Sequence, residues 1–522
     1  MNNKRKSHVP QKIKSSCHSR QAGVISVTAL VFMGVFVFIM VGLVNLALMQ
    51  KRAQVSKEEG TKALAMSEAG LEYYRWRLAH YPNDVQDGTG HAGPYVHDFL
   101  DPENASMGKY SLDITGNFQC GTLASVDVVS TGWTNAHPEI KKTITGRYMR
   151  PSVSNYSYIL DSNVIVGNDR IIYGPYHSNG GINFRGTNYS SVTSKQTTWN
   201  CNSDYCSPTQ SSAPGVTHDS GGSGSGDTLW KSPVPQIDFN IISQNLSDIY
   251  RLNVASTTPS ACNAGQSLGC YFPRTNPGGT MDKGYHIIFN ADGTFTLYKV
   301  LSTESIPGVP VSYGNGVCSA SVNENSTISN TGSSGICPYA PSASARTLIG
   351  TFAPPTSCKL LYFDDNVWME GMVNGKIAVI AASSTSSGNP NIYLRNNINY
   401  NPADGTADGL TALAENSVKV PADSPENLVV NGIFIAQLGY FGRDYYHTSC
   451  GLASKYSACA FQNQMNIYGT IVSKGRVGTK WGSSNGYNLR VDDYDPSLFN
   501  DPPPLTPYTE DTYKFVQWTQ DQ

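Results

Sequence analysis

Two tight groups of carboxylates are the first residues that could do chemistry. Asp364, Asp365 and Glu370 open a β-like run, FDDNVWMEGMV, and Asp492, Asp493 and Asp495 share one short loop. Either trio has the donor chemistry to hold calcium or to divide the work of a general acid and a general base. Neither has the spacing of an EF-hand loop or of a defined catalytic motif, and neighbouring Asp residues before a turn ordinarily cap backbone amides. His177 in YGPYHSNGG and His447 in RDYYHTSC read as hydrogen-bonded loop residues, because no nucleophile motif accompanies them. The chain also lacks H-E-x-x-H, Walker A and Rossmann signatures. The expectation is no catalytic residue, no enzyme activity, no cofactor and no resident metal, with a structural calcium ion as the open alternative.

Cysteine supplies the other chemistry. Of 11 cysteines, Cys17 stands alone before a long apolar stretch and ten follow it, an even number that suits disulfides in an oxidising compartment. Local spacing suggests Cys201 with Cys206, Cys262 with Cys270, Cys318 with Cys337 and Cys450 with Cys459, which leaves Cys120 and Cys358 to pair across domains. Other connectivities stay open, since sequence alone does not fix them. A zinc site at Cys201 and Cys206 lacks a second ligand pair at metal-site spacing.

The elements that must position these residues begin with Gly23–Gln50, GVISVTALVFMGVFVFIMVGLVNLALMQ, which contains no charge. Its 28 residues rise about 42 Å as a helix, enough to cross a hydrocarbon core of roughly 30 Å. Lys4, Arg5, Lys6, Lys12, Lys14 and Arg20 precede it with no acid among them, which places the N-terminus on the cytoplasmic side. The helix pattern runs on through Lys51 to Tyr81 without a break. Leu64, Leu71, Tyr74 and Leu78 share a face there, and Pro82 stops the pattern. A cleaved secretory signal has a much shorter apolar region.

The whole chain has 522 residues, 15% of them charged, with 49 Gly and 30 Tyr, a composition that suits an extracellular, turn-rich β protein. With the six leader cations set aside, 31 basic residues face 39 acidic ones, a balance of −8 that disfavours nucleic acid as a partner.

A basic leader ending in Gly23, an unbroken apolar helix and the extension ALAMSEAGLEYY resemble the N-terminal region of type IV pilins, especially PilX-type minor pilins and large pseudopilins. The resemblance implies cleavage between Gly23 and Val24, residence in the inner membrane before assembly, and then a place on the extracellular surface in a filament. It implies other pilin subunits and the pilus assembly machinery as partners. The family's major subunits carry Glu at the fifth mature position, where this chain has Thr28. A buried carboxylate is costly unless paired, so a subunit lacking it fits a minor, tip-located role.

The expected fold is α+β, mainly β. It comprises the leader (1–23), a long transmembrane, pilin-like helix (24–81, spanning over 24–50) and a small antiparallel pilin-like sheet (82–150). A right-handed parallel β-helix-like solenoid follows, starting over 151–208 and continuing over 356–500, with an insertion at 209–355 and a Pro-rich tail at 501–522 that lies across the head or caps the solenoid. The sheet's strands are GKYSLDITGNF, SVDVVSTGW and EIKKTITGRYM, with Asp113 and Asp127 as solvated positions. Val373, Ile392, Leu413 and Ile433, 19 to 21 residues apart, suggest the coil length, a β-sandwich being the alternative. The insertion contains a linker (211–227), a helix over 237–252 and a hairpin turning at Asp292 and Gly293. The function that follows is a surface filament subunit whose head meets a glycan or a partner-cell ligand. The alternatives are a membrane-tethered carbohydrate-active enzyme and a non-polymerising single-pass surface protein.

Overall fold

The computed structural model describes residues 22–219, 227–242, 262, 269–276, 283–313, 317–332, 335, 337–356, 358–384, 388–401 and 407–520. The leader with Cys17, and most of the helix expected over 237–252, lie outside the described residues. The described part of that helix is Phe239–Ile242.

Helix α1, Ala22–His80, is one rod of 59 residues, about 88 Å long. Its second half carries Ala63, Met66, Leu71, Tyr74 and Leu78 at three- to five-residue steps, and all five are buried. They lie on a five-stranded antiparallel sheet made of β1 (Tyr95–Leu100), β2 (Ser106–Gln119), β3 (Thr122–Thr134), β4 (Lys141–Met149) and, beyond β4, the C-terminal strand Lys514–Gln520. Leu112, Val126, Val128, Ile144 and Tyr148 face the helix, and the Tyr148 hydroxyl donates to the Leu71 carbonyl at 2.6 Å. The sequence reading found three of these strands. It missed β1, a short segment between Pro94 and Pro102, and it placed the tail across the head or as its cap, without the strand that Lys514–Gln520 adds to the sheet. The tail's Pro502–Pro504 are buried against the large β region before the chain returns to the sheet. Asp127 is also not simply solvated, since it accepts from Arg147 Nε at 2.6 Å and Asn117 Nδ2 at 3.0 Å.

The rest of the chain is a large β-rich region dominated by parallel pairing. One ladder runs Leu360–Phe363, Lys376–Ala381, Gly409–Ala414, Asn427–Ala436, Phe461–Ser473, then Tyr158–Leu160, Tyr176–Ser178 and Val192–Ser194. The early block, 158–194, therefore stacks on the late block's last two long strands, Phe461–Ser473 and Asn485–Asp493, instead of preceding its first. Part of the expected insertion is also built in: Cys270–Phe272 and Gly284–Phe289 pair in parallel with Leu360–Phe363 and Asn366–Val373. Gly284–Phe289 and Phe295–Val300 form an antiparallel hairpin around Asp292 and Gly293.

The suggested repeat of about 20 residues does not mark one ladder. Val373 faces Tyr400, Ile392 faces Val367 and Val418, and Leu413 lies between Ile380 and Ile435. Successive partners in the main ladder are Ile380, Leu413, Ile435 and Val472, separated by 33, 22 and 37 residues. Loop lengths between strands vary, so a fixed period cannot be read.

This ladder is buried on both faces, which explains runs such as IAVIAA that lack polar alternation. Leu361, Val379, Ala412 and Phe434 point into the central core, while Leu360, Ala378, Ile380 and Leu413 point outward under Cys120, Phe239 and Leu498.

Five disulfides brace the described residues: Cys120–Cys358, Cys201–Cys206, Cys262–Cys270, Cys318–Cys450 and Cys337–Cys459. The suggested pairs Cys318–Cys337 and Cys450–Cys459 are thus replaced by cross-links between two excursions, 303–355 and 439–463. These excursions share a small core of Ile306, Tyr339, Tyr446, Leu452 and Tyr456. Lys455 reaches Glu304 at 2.8 Å across it. Packing between distant loops outweighs proximity along the chain.

The helix backbone approaches the sheet closely at Gly132, where an added Cβ would stand 2.2 Å from the Ala63 carbonyl oxygen and 2.6 Å from the Ser67 amide nitrogen. Gly132→Ala is expected to destabilise the fold by roughly 1–3 kcal/mol. Gly60→Ala, on the same helix with Lys142 Cε at 3.8 Å as its nearest neighbour, is neutral or stabilising by up to about 1 kcal/mol. Thermal unfolding of the two variants in detergent checks the contrast, and equal shifts would remove the close-packing argument.

Candidate functional site

The first half of α1 is the largest unpartnered surface among the described residues. Nineteen large apolar side chains between Val24 and Met49 are each at least 47% exposed, and Phe38 reaches 83%. They surround the rod on all sides, so no stripe turns toward the head. At about 1.5–3 kcal/mol per side chain, tens of kcal/mol favour an apolar surrounding over water. This is the one described helix long and apolar enough to cross a membrane. The Gly23–Val24 bond lies in its first turn.

Thr28 is one of three polar residues in that first stretch, with Ser26 and Asn45. Its hydroxyl donates to the Val24 carbonyl, four residues back, at 2.8 Å. The hydroxyl is satisfied within its own helix and needs no partner from a neighbouring chain.

The carboxylate groups singled out by sequence are spent on structure. Asp364 accepts from the Ser384 amide at 2.9 Å and Tyr271 Oη at 3.3 Å. Asp365 accepts from the Thr275 amide and hydroxyl at 2.9 and 2.6 Å and from the Asn366 amide. Burial pushes the Asp365 carboxyl upward despite those bonds, yet both oxygens are committed. Asp492 is 1% exposed and accepts from Arg170 Nε at 2.8 Å and from Tyr158 Oη at 2.7 Å. Asp493 caps the Tyr494 amide, and Asp495 takes the Ser497 amide and hydroxyl. Among the described residues no cluster of His, Cys, Asp or Glu could hold a metal ion.

His177 is buried in a strand between Thr193 Oγ1 at 2.9 Å and Asn179 Oδ1 at 3.0 Å, and burial lowers its proton affinity. His447 accepts from the Ser449 amide through Nδ1 at 3.1 Å, capping a short turn. The stretch Gly482–Gly486, GSSNG, matches G-x-S-x-G in letters. Its Ser484 sits in a hairpin, where Lys480 faces Gly486 and Trp481 faces Asn485, instead of the strand-to-helix elbow that a nucleophile of that motif requires.

Sequence reasoning missed a cleft of about 770 Å³ that borders this hairpin. It gathers Arg185, Arg476, Lys480, Trp481 and Arg490 from separate strands and loops. The one local signal is the cation density of SKGRVGTKW.

Glu370, the third acid of the first trio, belongs to a buried chain of polar groups. His286, fully buried, donates from Nε2 to Glu370 Oε1 at 2.6 Å, and Arg346 Nη1 donates to its Nδ1 at 2.5 Å. An Nδ1 that accepts fixes a neutral ring, and burial with two neighbouring arginines lowers its proton affinity below the ordinary value. Burial would raise Glu370, but the bond from His286 and the Arg395 charge at 2.9 Å outweigh it and hold the carboxyl at about 2.

Both shifts are downward, so the unfolded chain binds more protons. Stability is full above the ordinary His value near 6.5 and is lost as pH falls through 4.5 toward 2. The Glu370 contribution is on the order of 3 kcal/mol. Glu370→Gln is expected to be less stable at pH 7.5 and to lose less on acidification; identical slopes of unfolding temperature against pH would overturn this.

No family model and no curated protein sequence matches the chain. Among solved structures it is similar to the competence-associated pilin ComZ from Thermus thermophilus. The identity is 11%, covering 89% of this chain and 97% of that one, with a TM-score of 0.26. A likeness this slight carries neither a fold nor a function across.

Proposed function

We propose that the chain is a minor, pilin-like subunit of a cell-surface filament, held in the inner membrane by Val24–Gln50 before assembly and displaying its β-rich head outside afterward. The observation that carries this reading is the continuity of α1. One unbroken rod is apolar on every side for its first half and packs on a sheet with its second. Lipid covers such a surface before assembly, and the matching helices of neighbouring subunits cover it in a filament. The self-satisfied Thr28 hydroxyl tolerates either environment. The basic leader and Gly23 supply the features of a prepilin cleavage site.

The parallel ladders support reading the head as a β-solenoid whose first turns, in space, come from residues 270–381 and whose last come from 158–231. A head this large, tied to the small sheet by Cys120–Cys358 and by the C-terminal strand, suits a tip or sparsely used position better than a repeating shaft. Its role there is binding to a surface, not catalysis.

Intact-mass measurement on the mature protein tests the reading first. The expected N-terminus is Val24, and the expected location is the sheared surface-filament fraction. A mature chain that retains Met1–Gly23 and remains wholly in the inner membrane would leave a single-pass surface protein in its place.

A further inference from the structure

The cleft beside the Gly482–Gly486 hairpin brings together side chains that no single stretch of sequence unites. Arg185 follows one short strand, Arg490 lies in the strand Asn485–Asp493, Lys480 and Trp481 form the short strand that pairs with it, and Arg476 precedes that strand. The cations outnumber the acids placed to meet them. Asp169 alone serves both Lys480, at 3.1 Å, and Arg490, at 2.5 Å. Arg185 is paired with Asp219, but its Nε is buried without a hydrogen-bond partner. Arg476 makes no ion pair with a described residue. Its guanidinium lies over the Tyr205 ring at 5.0 Å, with the Asp204 charge nearby.

Half-burying cations with too few counter-charges costs free energy that an incoming anion recovers. The effect is visible in Arg476 and Arg490, whose affinity for their protons is lowered, chiefly by burial.

One wall is aromatic. The Trp481 indole is held by its N–H bond to the Arg443 carbonyl at 2.9 Å, and the Tyr445 ring meets it edge-on at 5.9 Å. A fixed, half-exposed indole offers a flat apolar platform. Ser483, Ser484 and Asn488 add exposed hydroxyl and amide groups at the rim. The volume falls in the roughly 300–1,000 Å³ range of sites that take small ligands.

We propose that this cleft binds an acidic saccharide, with the carboxylate or sulfate on Arg476 and its neighbouring cations, the sugar ring on Trp481 and the hydroxyls on the polar rim. The combination decides against a neutral sugar, which leaves the cations unmet. It also decides against nucleic acid, which calls for an extended basic track on a chain whose balance outside the leader is −8. The proposal goes beyond the filament reading and survives its failure. Binding is measured on the isolated protein, and filament membership on sheared surface material.

The test uses the full chain in phosphatidylcholine nanodiscs, titrated calorimetrically with oligogalacturonate, hyaluronan tetrasaccharide, heparin tetrasaccharide, cellotetraose and an oligothymidylate. At least one acidic saccharide is expected to bind at least tenfold more tightly than cellotetraose, and to weaken as salt rises. Arg476→Gln is expected to weaken that binding about tenfold, the scale of one charge-assisted hydrogen bond, with an unchanged unfolding temperature. Lys480→Gln provides the same readout should the first variant fail to fold. The proposal is overturned if no acidic saccharide binds, if both variants bind like the parent, or if the oligothymidylate binds more tightly than every saccharide.

Discussion

The structure depends on α1 remaining one rigid rod in two environments. Over its second half the rod is locked to the sheet by Gly132, which lets the Ala63 carbonyl approach, and by the hydroxyl of Tyr148, which reaches the Leu71 carbonyl. A helix fixed so firmly along one half projects the other half in a set direction. That half carries nineteen large apolar side chains with no cover from the rest of the described chain. The head can therefore be folded and complete while the molecule as a whole still requires lipid or other helices.

The head is joined to the rod by more than its linking peptide. Cys120 sits in the two-residue turn between β2 and β3, where it and Gly121 both take positive φ, at 51° and 78°. From that turn it bonds to Cys358, 238 residues away, beside the first strands of the main ladder. Closing a loop of that length removes on the order of 5 kcal/mol of unfolded-state entropy in the chain-entropy treatment. The last strand of the chain then returns to pair with β4. Two independent ties hold the sheet against the β region, and the outward side chains of the ladder are buried beneath that junction. The same logic recurs at the far excursions, where Cys318–Cys450 and Cys337–Cys459 fasten two loops into one small core.

Charge is distributed by the same economy. Acids that fall next to one another in sequence cap turns or neutralise buried arginines, as Asp492 does for Arg170 and Glu370 for Arg395. These are interior groups with committed partners. The cleft lined by Arg476, Lys480 and Arg490 shows the opposite balance, since a single aspartate serves two of its cations. Residues that look chemical in the sequence hold the fold, and residues that look ordinary there gather around an open cleft.

The sequence by itself determined whatever depends on neighbours within a few residues. The apolar rod, its amphipathic continuation to Tyr81, three strands of the small sheet and the hairpin at Asp292 and Gly293 all follow from periodicity and turn chemistry, which act locally. The identity of Thr28 is legible too, because its hydroxyl is satisfied within one helical turn. Tertiary structure alone decided the stacking of 158–194 on the strands 461–473 and 485–493, the return of the tail to the sheet, the exchange of partners among Cys318, Cys337, Cys450 and Cys459, and the convergence that forms the cleft. Each joins segments tens to hundreds of residues apart. Loops of unequal length between the strands erase any fixed period that would reveal such pairings, and the burial that selects among them exists only once the chain has closed on itself.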